Sequence, residues 1–459
     1  IVAPEGFLRE AVAENVIAAP VMGRRATYQF GMLLPWSEQG HVDQGLGKGI
    51  PTGSSALVPP TIEITETGQE LTLDGVKIEF QLTPESEAPA EMHFFFPEYK
   101  ALCMAENCSG TMHNILTLRG ALVRDSLQWS KYIDEALERW GDSANLVFAS
   151  HGWPHWGKDA VRGYLTRQRD LYRWLHDQAM RLANLGYTPN EIAAEVTLPP
   201  GLWDDFMCHG YYGTVSHNVR AVYQRYIGFY DGHPSSLDPH TPVEVGKRYV
   251  DFMGGIEDLL EKAKKAFKEG DYKWVAEVLR HAVFANPENE AVRLLQADAF
   301  EQLAYQAESG PWRDIYLTGA QELRNGSINV PVLQRPRLEV AKGMTLGQIF
   351  DFLAVKVNGN AAVKLSPMTI NWSFSDTNEN AYLELSNGTL HSKIGPIIRS
   401  TDLEIVSSRD VLEELISTEY SITQALEEKR IGIEGNVEKF LNFWETLTDF
   451  PLFWPIIEP

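Results

Sequence analysis

The chain has 459 residues, with 62 acidic against 40 basic side chains and a formal net charge of −22. It is too long for one compact core, and too acidic for broad binding to nucleic acid, which needs clustered Lys and Arg. Hydrophobic residues at 44% and charged residues at 22% are ordinary for a globular protein, and no run approaches the ~18 apolar residues of a membrane span. An anionic substrate is not excluded, because a local Arg, His or metal pocket outweighs a screened distant field.

Cys103, Cys108 and Cys208 make no disulfide framework: the first two are too close in sequence and the odd count leaves one over. At least two are expected to be small buried hydrophobes. The N-terminus shows no basic segment leading into an apolar run, so no signal peptide is read there. It opens as a strand running into a helix over 5–19, the pattern of a chain that begins inside a domain.

A first unit is expected over 1–235. After the opening helix comes a Gly-rich loop at 40–53, then strand candidates at 61–64, 71–73, 76–82, 92–96 and 100–104. An amphipathic helix over 125–140, a strand at 146–150 and helices across 159–185 follow, giving an α/β layered fold. A Pro/His/Ser stretch at 233–242 reads as a linker. The second unit, 236–335, is helical, with small residues such as Ala263, Ala276 and Ala282 and a turn at Pro287. These match one tetratricopeptide-like pair, which cannot bury its own face and should pack on another surface, a second subunit first among them. The third unit, 336–459, begins with a helix at 345–357 and continues with strands at 368–374, 381–386, 389–393 and 403–407. Ser386-Asn387-Gly388-Thr389 is a hairpin turn. Helices at 409–416, 422–428 and 437–448 and an aromatic tail complete a small α+β unit.

Chemistry is expected at strand ends, where α/β folds display their sites. Glu85 and Glu87 lie in a Pro-bracketed loop after one strand. Glu106 and Asn107 follow a second, and His151-Gly152 follows a third. Carboxylates and neutral histidines are the ligands of hydrolytic metal sites. Each alone is better explained by a solvated loop acid or a simple turn; three around one sheet bring the metal reading level with that one. His113-Asn114, Arg119-Gly120 and the stretch Tyr211 to Asn218, which contains His217, are anion-binding candidates. Arg119 as a surface helix-start residue and His217 as a core histidine bonded to backbone are the plainer alternatives. His41-Val42-Asp43 imitates part of a metal motif without a supporting strand and is set aside, as are the sequons at Asn107, Asn325 and Asn387.

The runs Ala88-Pro-Ala-Glu-Met-His93, Ala101-Leu-Cys-Met-Ala-Glu-Asn107, His113-Asn114, Leu118-Arg-Gly-Ala121, Val123-Arg-Asp125 and Ser150-His-Gly-Trp-Pro154 resemble the linear alkyl sulfatase family, as does Tyr212-Gly-Thr-Val-Ser-His-Asn218. The resemblance extends over essentially the whole chain. It implies a metallo-β-lactamase αββα sandwich with its N-terminal part missing, an all-helical dimerisation domain, and a sterol-carrier-like α+β domain with an apolar pocket for alkyl chains. It implies two zinc ions, with Glu87, Glu106 and His151 as ligands and Glu106 bridging. Asn114, Arg119 and His217 match the sulfate-holding positions, Arg119 and His217 also acting in catalysis. The family's His-x-His-x-Asp-His motif is expected upstream of Ile1; without it the chain cannot complete a two-metal centre.

The activity implied is hydrolysis of an alkyl sulfate ester to alcohol and inorganic sulfate by a metal-generated hydroxide, in a homodimer that is periplasmic or secreted. No nucleic-acid partner and no membrane span are expected. Another hydrolase of the same superfamily, or a metal-free protein that binds alkyl chains, are the competing readings.

Overall fold

The computed structural model describes residues 1–50, 53, 55–327, 338–396, 400–417, 419–451 and 453–459. The expected boundary between the second and third units, at 335/336, lies outside the described residues. The first unit contains β1 (Val2–Pro4), α1 (Phe7–Val12), a π-helical turn (Ala13–Ile17), α2 (Ala19–Gln29) and β2 (Ile62–Ile64). It continues through β3 (Glu70–Leu73), β4 (Val76–Leu82), β5 (Met92–Phe96), β6 (Ala101–Cys103), α3 (Ser126–Trp140), β7 (Leu146–Phe148) and β8 (His155–Trp156). Helices α4 (Lys158–Ala183), α5 (Pro189–Glu195), α6 (Pro200–Trp203) and α7 (Val215–Ile227) close it.

Strands β3 to β8 pair in sequence order into one six-stranded sheet, antiparallel except for the parallel β6–β7 step, while β1 and β2 form a separate parallel pair. Leu102, Met104 and Val147 from the sheet bury against Trp129 and Ile133 of α3 and Leu171 and Tyr172 of α4. Asp125 caps α3 by accepting from the Gln128 amide, as a short carboxylate ahead of an apolar period should. The single opening helix expected over 5–19 is instead α1, the π turn and the start of α2. Pro20 in the first turn of α2 cannot donate a backbone hydrogen bond to a preceding turn, so the chain restarts there.

The middle unit is α8 (Pro242–Phe252), α9 (Ile256–Lys268), α10 (Tyr272–Ala285), α11 (Glu290–Tyr305) and α12 (Gly310–Asn325). Ala263, Leu279, Ala282 and Ala320 form its core, the small residues permitting close helix approach. Part of the outside surface this unit needs is supplied within the chain, because α12 packs on α2.

The last unit holds α13 (Leu338–Ala341), α14 (Leu346–Lys356), α15 (Gly359–Ala362), β9 (Met368–Phe374), β10 (Glu379–Ser386), β11 (Thr389–Ile394) and β12 (Leu403–Ser407). It ends with α16 (Arg409–Ile416), α17 (Ile422–Glu427), β13 (Ile431–Gly435) and α18 (Val437–Trp444). Its sheet runs β11-β10-β9-β12-β13. The hairpin places Asn387 at φ 52° and Gly388 at φ 77°, the two left-handed residues of a type I′ turn. Strand β13 was missed: Ile431 to Gly435 is two apolar residues among glycines and an acid, too weak a period to read, and it forms by pairing with β12. The order of fold classes is the one expected, a layered α/β unit, a helical unit and an α+β unit. No helix among the described residues is long and apolar enough to cross a membrane. The three cysteines are free and buried.

One buried cluster ties the units together. Arg24 of α2, wholly buried, donates to both carboxylate oxygens of Glu322 on α12 at 2.8 Å and to the Trp454 carbonyl of the C-terminal tail at 2.8 Å. The Tyr28 hydroxyl also donates to Glu322, at 2.6 Å, and the rings of Tyr28 and Phe453 flank the guanidinium. Beyond it, Ile457 enters the helical core and Glu458 pairs with Arg293. Removing one member of a buried pair strands the other charge at a cost of about 3–5 kcal/mol, whereas replacing both is far milder. Arg24→Met should therefore lower the thermal midpoint more than the double change Arg24→Met/Glu322→Leu does. Equal midpoints in a calorimetric comparison would refute this account.

Candidate metal centre

The register of two parallel strands builds the centre. Cys103 of β6 pairs with Phe148 of β7, and the pairing extends past the strand ends through Met104 N to Phe148 O and Ser150 N to Ala105 O, both 2.9 Å. Glu106 and His151 each lie three residues beyond that matched pair, so they emerge side by side, with His151 Nε2 against Glu106 Oε1. Ala105, with φ 48°, turns the chain to deliver Glu106, a left-handed conformation that is strained in a non-glycine residue. Gly152 follows His151 because the Ser109 carbonyl occupies the place of a Cβ.

Glu87 arrives from the loop between β4 and β5. Together with Glu106 and His113 it forms a group whose ligand atoms all lie within 4.8 Å of one another. His113 Nε2 is 3.6 Å from Glu106 and 3.9 Å from Glu87. It is buried and has no hydrogen-bond partner. On the other side of the ring, Arg124 Nη1 approaches Nδ1 at 3.0 Å. A guanidinium only donates, so Nδ1 accepts and a neutral His113 carries its proton on Nε2. Arg124 also pairs with Glu87 and donates to the Asn114 carbonyl at 2.6 Å.

A third carboxylate holds the first two in place. Glu91, buried, accepts from the amides of Glu87 (3.0 Å), Ala88 (3.2 Å) and Glu106 (3.2 Å) and from the Ser86 hydroxyl (2.8 Å). Burial, with the charge of Glu87, pushes its carboxyl up to about 8. A second chain runs from Gln81 through His93 to Asn107, whose Oδ1 accepts from the Glu87 amide at 3.2 Å. Burial pushes His93 down to about 3, so this imidazole stays neutral. At Glu106 burial acts upward, but the contact with His151 and the nearby His113 ring hold its carboxyl well below the usual range; the contact with Glu106 raises His151.

The expected anion-binding residues stand on segment 113–119 and on α7. Asn114 is buried with an unpartnered Nδ2. The Arg119 guanidinium pairs with Glu14 in the π turn and touches Met22 Sδ at 3.7 Å. His217, near the start of α7, has Nε2 bonded to the Leu116 carbonyl at 2.7 Å, and burial lowers its pKa. The Tyr212 ring stands 4.8 Å from His113. Sequence reading gave no part to Glu91 or Arg124 and grouped His113 with the anion binders. An acid just before a strand and an Arg just before a helix carry no local mark of where they point.

Two partly buried carboxylates, with a third behind them and histidines at their edges, form a donor set suited to a divalent cation, and the orphaned His113 edge marks an opening in the hydrogen-bond network.

Comparison with known proteins agrees. Models described as "Alkyl sulfatase dimerisation" and "Alkyl sulfatase C-terminal" match residues 188–326 and 336–459. A linear primary-alkylsulfatase of Pseudomonas sp is 44% identical over 459 residues, covering 100% of this chain and 68% of the relative. The alkyl/aryl-sulfatase BDS1 of Saccharomyces cerevisiae is 42% identical, covering 100% and 70%. The solved structure of the stereoselective inverting sec-alkylsulfatase Pisa1 from Pseudomonas sp. superposes with a TM-score of 0.95 at 42% identity, covering 100% of this chain and 72% of that one. The fold and site define a hydrolase of sulfuric esters. The chain belongs to the alkyl sulfatase family and is an alkyl sulfatase.

Glu91 makes a sharp test of how the centre is held. Glu91→Leu leaves the Ala88 and Glu106 amides without an acceptor, at about 1–3 kcal/mol each, and the Glu87 amide with Asn107 Oδ1 alone. Metal retention should fall about tenfold or more, as for other groups that orient ligands. Unchanged metal content by elemental analysis would show that the two loops hold their glutamates without it.

Proposed function

We propose that this sulfatase depends on zinc, two ions per subunit, and hydrolyses linear alkyl sulfate esters to the alcohol and inorganic sulfate. The observation that carries the reading is the position of Glu106, met by His113 and His151 while His113 also faces Glu87, a bridging place for a carboxylate. Glu87, Glu106 and His151 are the residues that would hold the metal. Zinc held there supplies the Lewis acidity that activates water near neutral pH.

The remaining steps belong to side chains. Asn114 Nδ2, a buried donor without a partner, and the Arg119 fork hold the sulfate group and stabilise the charge that develops on it. Ester binding then exchanges the Arg119–Glu14 pair for an Arg119–sulfate pair. His113, its proton on Nε2, can donate to an ester oxygen held beside the two glutamates. His217, through Leu116, ties α7 to the loop that carries Asn114 and Arg119, which gives it a positioning role. A cavity of about 380 Å³ in the last unit has an apolar side of Leu353, Ile416 and Leu447 that would take an alkyl chain, and a polar side of Lys356, Glu419 and Asp449. The helical unit, matching the dimerisation model, supports a homodimer. Export to the periplasm or beyond completes the reading.

Zinc content by elemental analysis of the full-length protein, which would carry the His-x-His-x-Asp-His ligands that the family resemblance implies upstream of Ile1, with sulfate release from dodecyl sulfate on the same sample, tests the proposal. About two zincs per subunit, as a dinuclear site requires, with release abolished by chelator and restored by zinc, is the expected result. Metal-free protein that still released sulfate would overturn it. Glu14→Gln frees Arg119 from a partly exposed pair worth about 0.2–1 kcal/mol, so KM for dodecyl sulfate should fall by up to about fivefold with kcat little changed. Arg119→Ala should lower kcat/KM by at least about a hundredfold.

A further inference from the structure

Asn107 opens one of the sequons set aside in the sequence, yet it is wholly buried. It stands at the end of a line of three side chains that crosses the first unit. The β4–β5 register sets Gln81 directly opposite His93, and Gln81 Oε1 lies 3.0 Å from His93 Nδ1. His93 Nε2 lies 2.7 Å from Asn107 Nδ2. Gln81 and His93 are as fully buried as Asn107.

The direction of this line is fixed from both ends. At one end Gln81 Nε2 donates to the Tyr132 carbonyl at 3.0 Å and to the Glu135 carboxylate at 2.9 Å, both on α3. Its oxygen therefore faces the imidazole and accepts. At the other end the Glu87 amide donates to Asn107 Oδ1 at 3.2 Å, so Asn107 Nδ2 faces the ring and donates. Turning the Gln81 amide over would set acceptor against acceptor, and turning Asn107 over would set donor against donor. Between an acceptor and a donor the ring fits in one form, neutral, with its proton on Nδ1 and Nε2 bare. Burial, which pushes His93 down to about 3, acts in the same sense.

Asn107 is also the residue after Glu106, and its backbone is pinned on both sides. Its amide donates to the Met104 carbonyl at 2.9 Å, and its carbonyl accepts from Trp129 Nε1 at 2.9 Å. The Asn107 side chain thus joins the loop of Glu87 to the loop of Glu106 in one short reach. We propose that His93 and Asn107 are positioning residues of the sulfatase: the Nδ1-protonated ring orients the Asn107 amide, whose Oδ1 holds the Glu87 backbone beside Glu106 and sets the spacing of the two carboxylates. The inference rests on the reading of Glu87 and Glu106 as metal-holding groups. Loss of a group that orients a ligand costs about 10–100-fold in metal affinity or activity.

The test compares His93→Leu with His93→Gln in the full-length protein, each also in a Glu87→Ala background. Glutamine can place Oε1 where Nε2 stood and accept from Asn107; leucine cannot. In His93→Leu, hydrogen exchange at the Glu87 amide should rise. Zinc affinity by chelator competition and kcat should each fall about tenfold, with KM changed by less than about twofold because Asn114 and Arg119 are untouched. His93→Gln should recover most of both. With Glu87 already removed, His93→Leu should cost nothing further in zinc affinity. Equal losses in the leucine and glutamine variants, or equal losses with and without Glu87, would overturn the proposal. Ring-nitrogen shifts of His93 in metal-free protein need no activity: they should show a protonated Nδ1 and a bare Nε2, and the opposite tautomer would refute the line. Wild-type protein that bound no zinc would count against the metal reading alone, with the ring shifts and the Glu87 exchange still deciding whether His93 holds that amide.

Discussion

Everything at the centre follows from bringing three carboxylates together against their mutual repulsion. Glu87, Glu91 and Glu106 share one pocket, and Glu91 is fully enclosed. Like charges in a medium of low dielectric raise one another's pKa unless donors and cations compensate. Here Glu91 takes three amides and a hydroxyl, Glu87 takes Arg124, and Glu106 takes two histidines. The compensation is divided: Glu91 is secured by main chain, whereas Glu106 keeps the histidine-rich edge. That division leaves one acid as scaffold and the other two facing the histidines.

The scaffold extends beyond the first unit. The two glutamates and His151 stand on loops at one edge of the six-stranded sheet. Asn114 and Arg119 stand on a different segment, 113–119, held by Asn218 and His217 of α7 and by Arg124. Loop 36–48 is gripped by Arg313 and Asp314 of α12. The Arg24–Glu322 pair together with the C-terminal tail locks the helical unit to α2. Energy invested in buried polar contacts between units fixes relative position, which apolar packing specifies less sharply.

Apolar periods, caps and turn dipeptides are local properties, and they placed β5, β9 and β12 to the residue, α3 behind its Asp125 cap, and the Asn387-Gly388 hairpin. The family motifs likewise marked Glu87, Glu106 and His151, which the structure brings near one another. What local pattern could not reveal was direction. His113 reads identically as an anion binder or a metal neighbour until Arg124 is seen to occupy its Nδ1. Nor does the pattern show that His217 Nε2 meets the Leu116 carbonyl.

By itself, then, the sequence determined the three-unit order, the strands that carry the site and the family, because these depend on short-range periodicity and on contiguous motifs. Only the tertiary structure decided that Glu91 binds the loops of both Glu87 and Glu106, that β6–β7 register aligns Glu106 with His151, and that His41 meets Asp314 of α12. Each of those is a contact between residues far apart in the chain, chosen by which buried donor meets which acceptor once the sheets and helices have packed.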